Sequence, residues 1–204
     1  MKKFIIEIGK QIYDKKLSTG MSGNISFREN NKIFITASGT CLGDLKESDI
    51  ITLDLEGNVS ESSKKTPSSE KMMHIEIYKK RPDINSIIHA HPPYSTALAV
   101  SGETNLPAIL AEPVVMFGTG ISIVKYETPS SLELAQEVAK YFEKNDAVFM
   151  ANHGAAVCGK DLKETFYKLE TLEFYSQVYL FSGMLGKRSG IPSEKIQELM
   201  NLRH

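Results

Sequence analysis

The sequence predicts an α/β fold, a single domain over residues 1–204 in which helices cover a mixed, largely antiparallel sheet. Short runs of β-branched and aromatic residues are separated by turn residues, which is the pattern of strands joined as hairpins. Longer segments with apolar residues at helical spacing lie between these runs. A chain of this length can bury one substantial core, and no repeat or linker divides it.

The N-terminal half is predicted to contain a helix, two strand pairs and a second helix. Phe4, Ile5, Ile8 and Ile12 recur at helical spacing and indicate the first helix. Asn and Gly residues inside each strand pair indicate two hairpins. A proline ends the second helix because it cannot continue one. The predicted ranges are 2–16 (helix), 24–28, 32–36, 50–54 and 58–60 (strands), and 68–80 (helix).

The C-terminal half is predicted to add three strands and four helices. Thr128 is the expected N-cap of one helix, with Pro129 in its first turn. Residues 101–128 remain unassigned because prolines and glycines interrupt their apolar pieces. The predicted ranges are 84–90, 147–151 and 155–158 (strands), and 94–100, 129–144, 161–184 and 193–202 (helices).

Composition and charge exclude several classes of protein. The net charge of −1 leaves no basic surplus to neutralise nucleic-acid phosphates. Two cysteines without a C-x-x-C pair form no disulfide framework and suit a reducing cytosol. The N-terminus is typical of an amphipathic helix rather than a signal peptide, and no apolar run has the length of a membrane span. We therefore expect a cytoplasmic protein that binds neither nucleic acid nor membrane.

Three histidines at predicted strand ends indicate a metal site. His89 and His91 are two residues apart at the end of a predicted buried strand, so their side chains project from the same face. His153 follows another apolar strand, and Gly154 lets the backbone turn there. Three imidazoles suit zinc, although cobalt, manganese or iron could also occupy them. The alternative is that these are ordinary core or surface histidines.

Pro67-Ser68-Ser69-Glu70 stands at the start of a predicted helix. Two hydroxyls and free backbone N–H groups at a helix N-terminus suit a phosphate or a carboxylate. Glu70 could act as a fourth metal ligand or as a general base. Ordinary helix capping is the alternative for these residues. His74 lies one turn further along the same helix face, where a core histidine is the expected role.

Two other turns carry small side chains. Gly23-Asn24 precedes a predicted strand, and Ser38-Gly39 follows one. Each turn could offer backbone donors to an anion, or could be simply a turn. Their relevance depends on whether they meet Ser68 and Ser69 in space.

The remaining marked residues are expected to be structural. Cys41 and Cys158 are predicted to be small buried apolar residues. An apolar stripe along the helix 161–184 is predicted to form core or subunit contacts, and the charged residues of that helix are predicted to form a solvated face. The stripe comprises Phe166, Leu169, Leu172, Tyr175, Val178 and Tyr179, and the charged residues are Lys163, Glu164, Lys168 and Glu170.

Five of these stretches together resemble the class II aldolase/adducin family. They occur in the order and spacing of that family, and the similarity covers roughly residues 5–185. The stretches are Ser22-Gly23-Asn24-Ile25-Ser26, Ile35-Thr36-Ala37-Ser38-Gly39, Pro67-Ser68-Ser69-Glu70, His89-Ala90-His91 and Asn152-His153-Gly154.

The resemblance implies a three-layer α/β/α domain in a homotetramer with active sites at subunit interfaces. It also implies a zinc-dependent aldolase that reversibly cleaves a ketose 1-phosphate, such as L-fuculose 1-phosphate, to glycerone phosphate and an aldehyde. Cobalt or manganese could replace zinc. The implied roles are metal ligation by His89, His91 and His153, acid/base catalysis and further ligation by Glu70, and phosphate binding by Gly23, Asn24, Ser38, Gly39, Ser68 and Ser69.

The sequence departs from this family pattern in two places. A bacterial member has a tyrosine proton donor soon after an Ile-Pro-Ala-Ile stretch, whereas here Leu106-Pro107-Ala108-Ile109-Leu110 leads to Glu112. Glu112 or water could replace that donor. The C-terminal tail is also short and lacks a second tyrosine.

Methylthioribulose-1-phosphate dehydratase, sugar-phosphate epimerase or decarboxylase activity at the same metal site are alternatives. A non-catalytic adducin-like module is a further one.

Overall fold

A computed structural model describes residues 1–60, 63–103, 105–186 and 188–202, and it confirms the predicted α/β class. Arg203 and His204, at the end of the predicted tail, lie outside these ranges. No helix in the described part of the chain has both the length and the apolar character needed to cross a membrane.

The helices are α1 (Lys2–Asp14), α2 (Lys71–Lys80), α3 (Pro93–Ala99), α4 (Ala111–Phe117), α5 (Leu132–Phe142), α6 (Leu162–Met184) and α7 (Ser193–Met200). The strands are β1 (Asn24–Glu29), β2 (Lys32–Thr36), β3 (Ile50–Leu53), β4 (Ser86–Ala90), β5 (Asn105–Pro107), β6 (Gly120–Val124), β7 (Ala147–Met150) and β8 (Gly154–Gly159).

The described strands form one sheet of eight, in the order β3-β2-β1-β4-β8-β7-β6-β5. Every neighbouring pair is antiparallel except β6 and β7, which are parallel. The prediction of a mixed, largely antiparallel sheet is therefore confirmed. The central strands β4, β7 and β8 are buried along their whole length, which is expected when helices cover both faces of a sheet.

Two apolar clusters lie on opposite faces of the sheet and give the fold its layers. One cluster joins the sheet to α1, α3, α4 and α6, through residues such as Ile8 and Leu169. The other joins it to α2 and α5, through residues such as Ile77 and Val138. Successive residues of β4 pack into opposite clusters, since Ile88 belongs to the first and Ile87 to the second. The chain thus forms helix, sheet and helix layers.

The register of β4 with its neighbours brings distant parts of the chain to one end of the sheet. His89 lies opposite Asn24 of β1 on one side and opposite Ala156 of β8 on the other. The turn between β7 and β8 is tight, because Met150 pairs with Gly154. The end of β4, the start of β1 and the β7–β8 turn therefore meet.

Two predictions need correction, and the unassigned stretch is found to contain three elements. Residues 58–60 do not form a strand in the sheet but make a single bridge, Leu53 to Val59, so β2 is the partner of β3 instead. The unassigned stretch contains β5, α4 and β6. The N-cap before α5 is Ser131 rather than Thr128, since Ser131 Oγ accepts a hydrogen bond of 3.0 Å from the Leu134 N–H.

Lys168 is the clearest exception to the predicted solvated face of α6. Its side chain is buried, and its Nζ donates to Asp146 Oδ2 and to the Cys158 carbonyl at 3.1 Å each. Arg81 also donates to Asp146, at 3.0 Å. Five residues of the apolar stripe lie in the core, and Val178 is half-buried. Cys158 is buried as predicted, whereas Cys41 is partly exposed.

Candidate active site

Three imidazoles converge where β4 ends and β7 turns into β8. His89 belongs to β4, His91 follows it by two residues, and His153 lies in the β7–β8 turn. Their ring centroids are 4.8 Å apart for His89 with either neighbour and 5.0 Å apart for His91 with His153. One ring nitrogen from each residue lies within 4.8 Å of the other two. The structure thus brings the three sequence-predicted ligands together.

The protonation of these rings suits metal ligation. His89 Nδ1 donates to the Ala155 carbonyl at 2.9 Å, which leaves Nε2 as a lone-pair donor to a metal. That Nε2 lies 3.0 Å from His91 Nε2. Burial and the nearby His89 lower the pKa of His91 to about 3 and that of His153 to about 4. Both rings are therefore neutral at neutral pH, and neutral imidazole is the form that binds metals.

Glu70 faces the histidines from the residue before α2. Its Oε2 lies 3.2 Å from His89 Nε2, and its Oε1 lies 3.6 Å from His153 Nε2. Asn24 donates to Oε2 at 2.8 Å. Burial alone would raise the pKa of Glu70, but His89, His153 and the hydrogen bond from Asn24 outweigh burial and lower it. Glu70 is therefore a carboxylate in contact with the imidazole cluster.

A divalent cation would fit this donor set. Glu70 Oε1 is buried, and no hydrogen-bond partner exists for it among the described residues. Buried polar atoms without a partner are uncommon in folded proteins unless a ligand or an ion satisfies them. Three imidazole nitrogens and one carboxylate oxygen match the ligand types of zinc, and other divalent transition metals accept them as well.

Gly154 makes room for His91, and we expect Gly154→Ala to weaken metal binding. An added Cβ would lie 2.6 Å from His91 Cδ2 and 2.7 Å from the Ala90 carbonyl oxygen, so the ring of His91 would have to move. Changes that misorient a metal-bound histidine typically cost about 10- to 100-fold in affinity. A competition assay with a zinc chelator measures this loss.

Gly190→Ala is the matched control for that measurement. A Cβ at Gly190 would have its nearest described neighbour at an ordinary 3.7 Å. We expect its zinc affinity to equal that of the unmodified chain. Equal affinities in both variants would show that Gly154 does not hold His91 in place.

A polar cavity of about 240 Å³ adjoins the histidines. Two backbone hydrogen bonds hold its serine-bearing turns together, from the Ser38 N–H to the Thr66 carbonyl and from the Ser68 N–H to the Thr36 carbonyl, each 3.0 Å long. The cavity therefore unites turns that are far apart in sequence. Its lining includes all six residues predicted around a phosphate, which are Gly23, Asn24, Ser38, Gly39, Ser68 and Ser69, together with Glu70, His91 and His153.

Glycine is required at position 23 of this cavity. Its φ of +81° is in the left-handed region, and an added Cβ would lie 2.8 Å from the His89 carbonyl oxygen. The β1 backbone can therefore approach the end of β4 closely. This approach places the side chain of Asn24 beside Glu70.

Six residues of the cavity lining were given no site role by the sequence reasoning, namely Met21, Ser22, Ala37, Thr40, Pro129 and Ser130. Ser130 Oγ donates to Ser69 Oγ at 2.9 Å, so the loop before α5 closes one side of the cavity. The Pro129-Ser130-Ser131 stretch was the available signal, and it predicted only a helix start. Ser131, rather than the predicted Thr128, is the helix cap, while Ser130 lines the cavity.

Glu112 lies away from the histidines within this chain. It lines a separate cavity of about 560 Å³ together with Arg81, Asp146 and Gly159. Gly159 ends β8 and pairs with the first residue of β4, so this cavity lies at the opposite end of those strands from His89. The structure therefore does not bring Glu112 to the other predicted site residues.

Comparison with known proteins agrees with the motifs and the geometry. The sequence profile described as Class II Aldolase and Adducin N-terminal domain matches residues 3–180. An L-fuculose phosphate aldolase of Methanocaldococcus jannaschii is 41% identical over 187 residues, which are 91% of this chain and 99% of that protein. A 5-deoxy-D-ribulose 1-phosphate aldolase of Bacillus thuringiensis is 33% identical over 96% of this chain and 91% of its own length. A solved structure of an L-fuculose 1-phosphate aldolase superposes with a TM-score of 0.92 at 34% identity, covering 98% of this chain and 94% of the other. The chain therefore belongs to the family of class II aldolases and adducin N-terminal domains.

Proposed function

We propose that this chain is a divalent-metal-dependent aldolase that reversibly cleaves a ketose 1-phosphate into glycerone phosphate and an aldehyde. The observation that carries the proposal is the convergence of three imidazoles and the Glu70 carboxylate beside a polar cavity. The names of the relatives support this substrate class, since L-fuculose 1-phosphate and 5-deoxyribulose 1-phosphate are both ketose 1-phosphates.

The proposed metal ligands are His89, His91 and His153, with Glu70 able to add an oxygen. Zinc is the proposed metal, and cobalt or manganese are alternatives that the same donors accept. A bound divalent cation would stabilise the negative charge that develops on the substrate oxygens as the carbon–carbon bond breaks. The contact from His89 Nδ1 to the Ala155 carbonyl would hold that ring in its metal-binding orientation.

The cavity would bind the substrate phosphate and thereby orient the reacting bond. Ser38, Ser68, Ser69, Gly23 and Gly39 line it, and serine hydroxyls and backbone N–H groups suit phosphate oxygens. Phosphate binding is remote from the bond that breaks, so it would hold the substrate in position without taking part in the chemistry. We therefore assign the phosphate site to these turns.

Glu70 would move the proton at the substrate carbon that becomes C3 of glycerone phosphate. Asn24 occupies its Oε2, which leaves the buried Oε1 as the oxygen that takes and returns this proton. A second proton donor would act at the aldehyde oxygen. Because Glu112 does not reach the histidines within one chain, it could serve there only from a second subunit of the proposed homotetramer.

A panel of ketose 1-phosphates tests the proposal. We expect the purified, zinc-loaded protein to release glycerone phosphate from at least one member, such as L-fuculose 1-phosphate, and a chelator to stop the release. Identification of the products by NMR separates cleavage from epimerisation, dehydration and decarboxylation. The unphosphorylated ketoses are the matched controls and should react at least about a hundredfold more slowly, since they lack the orienting phosphate.

Two outcomes would overturn the proposal. Epimerised, dehydrated or decarboxylated products without cleavage would assign the site to another reaction on the same scaffold. A protein that cannot be loaded with any divalent metal would favour a non-catalytic module, because such a module has no need of three histidines and Glu70 together.

A further inference from the structure

A continuous chain of buried hydrogen bonds extends from Glu70 on the side away from His89, His91 and His153. Asn24 Nδ2 donates to Glu70 Oε2 at 2.8 Å, and Asn24 Oδ1 lies 2.5 Å from His74 Nε2. On the other side of the ring, His74 Nδ1 lies 2.7 Å from Ser26 Oγ, which lies 2.8 Å from the Tyr78 hydroxyl. The chain connects β1 with α2, and His74 and Ser26 are fully buried.

Each bond in this chain sets the direction of the next one. The Glu70 carboxylate can only accept, so the amide nitrogen of Asn24 must face it and the amide oxygen must face His74. His74 Nε2 must then carry a hydrogen. In a neutral ring the other nitrogen is an acceptor, so Ser26 donates to His74 Nδ1 and accepts from Tyr78 at 2.8 Å, while the Asn85 carbonyl is a second, more distant acceptor for the Tyr78 hydroxyl at 3.3 Å. Burial lowers the pKa of His74 to about 3, which agrees with a neutral ring.

Reversing either the tautomer of His74 or the amide of Asn24 would place two hydrogen-bond acceptors against each other. With the proton on Nδ1, the bare Nε2 of His74 would face the oxygen of Asn24 at 2.5 Å. A rotated Asn24 amide would instead place its oxygen 2.8 Å from the carboxylate oxygen of Glu70. Both contacts bring lone pairs together in a buried site, where unpaired polar atoms are costly.

We propose that His74 is a positioning residue that determines how Glu70 presents its two oxygens. Its Nε2–H tautomer, which Ser26 supports by donating to Nδ1, holds the Asn24 amide in one orientation. Asn24 then keeps Oε2 of Glu70 occupied as an acceptor, so Oε1, which has no hydrogen-bond partner among the described residues, is the oxygen left for the substrate. This inference rests on the proposed role of Glu70 in proton transfer.

The tautomer can be observed without any assay of activity. Histidine labelled with nitrogen-15 in the otherwise unlabelled, metal-free protein reports which ring nitrogen of His74 carries hydrogen, and the His74→Gln spectrum assigns its signals. We expect a protonated Nε2 and a bare Nδ1. Ser26→Ala removes the donor to Nδ1 and should produce a mixture of tautomers. A proton on Nδ1 in the unmodified protein would overturn the inference, whatever the variants do.

Steady-state kinetics test the consequence for Glu70. His74→Leu removes the donor to Asn24, and we expect kcat to fall about a hundredfold while KM and bound zinc stay within about twofold, because general acid–base groups contribute about 10²- to 10⁴-fold. His74→Gln keeps an amide donor near the position of Nε2 and should recover kcat to within about tenfold of the unmodified enzyme. Ser26→Ala, the smaller change, should lower kcat about tenfold.

The outcomes separate this inference from the proposed function. An inactive unmodified protein would contradict the proposed aldolase, yet the tautomer measurement would still decide the state of His74. An active protein in which His74→Leu keeps full kcat would overturn the positioning role alone. Circular dichroism identifies any variant that does not fold. If His74→Leu does not fold, the nitrogen-15 spectrum of the unmodified protein and the kinetics of Ser26→Ala test the positioning role instead.

Discussion

Replacing His91 with alanine is expected to remove both metal binding and substrate cleavage. His91 contributes one of three imidazoles whose ligand atoms lie within 4.8 Å of one another, and alanine cannot replace it. Loss of the metal would remove several kcal/mol of transition-state stabilisation, and about 4 kcal/mol corresponds to roughly a thousandfold in rate. We therefore expect kcat/KM to fall about a thousandfold or more. Elemental analysis of the purified variant and the glycerone phosphate assay measure the two effects.

The control for this experiment is His204→Ala, because no role is assigned to that histidine at the end of the sequence. Its metal content and turnover should equal those of the unmodified protein. Undiminished cleavage of a ketose 1-phosphate by His91→Ala would contradict a mechanism that depends on metal. Full metal content together with lost cleavage would place His91 in the chemistry but not in the ligand set.

Glu70→Gln should retain metal and stop proton exchange. Glutamine has the shape of glutamate, and its amide oxygen can accept the hydrogen bond from Asn24 that Oε2 accepts now. It cannot take a proton from carbon at neutral pH. General-base groups contribute about 10²- to 10⁴-fold, so we expect exchange of the C3 proton of glycerone phosphate to slow by that factor. Proton NMR in deuterium oxide follows the exchange directly.

Glu76→Gln is the matched control for Glu70. It makes the same chemical change on the neighbouring helix α2, where Glu76 pairs with Lys79 at 2.8 Å near the surface. We expect its exchange rate to lie within about twofold of the unmodified rate. Unchanged exchange in Glu70→Gln, under conditions where the metal is bound, would rule out Glu70 as the base.

Local sequence patterns predicted the parts of the site that depend on strand geometry. The two-residue spacing of His89 and His91 implied a shared face because side chains alternate along a strand. The small residues at Gly23 and Ser38 implied turns; Ser38 and Gly39 form one, whereas Gly23 lies between a turn at residues 20–21 and the start of β1. The roles assigned to these residues stay predictions, while their proximity is a property of the fold.

Other parts depend on contacts between residues that are far apart in sequence. Asn24 and Glu70 are 46 positions apart, and only the pairing of β1 with β4 and the packing of α2 bring them together. Lys168 was predicted to be solvated because its side chain is charged. It is buried instead, and the hydrogen bond to the Asp146 carboxylate offsets the cost of burying its charge. The short elements between 101 and 128 lack a clear period because each is at most seven residues long. In such cases tertiary contacts override the local pattern.

The register of β4 has a consequence for how the protein acquires its native fold. A slip by one residue would turn His89 to the opposite face of the sheet and separate it from Glu70. A metal ion that binds the three histidines would then have affinity only for the correctly paired sheet. Binding to one state alone stabilises that state in proportion to the logarithm of free metal concentration over Kd. Zinc present during refolding would therefore act as a selector of strand alignment, enriching native molecules before any substrate is added.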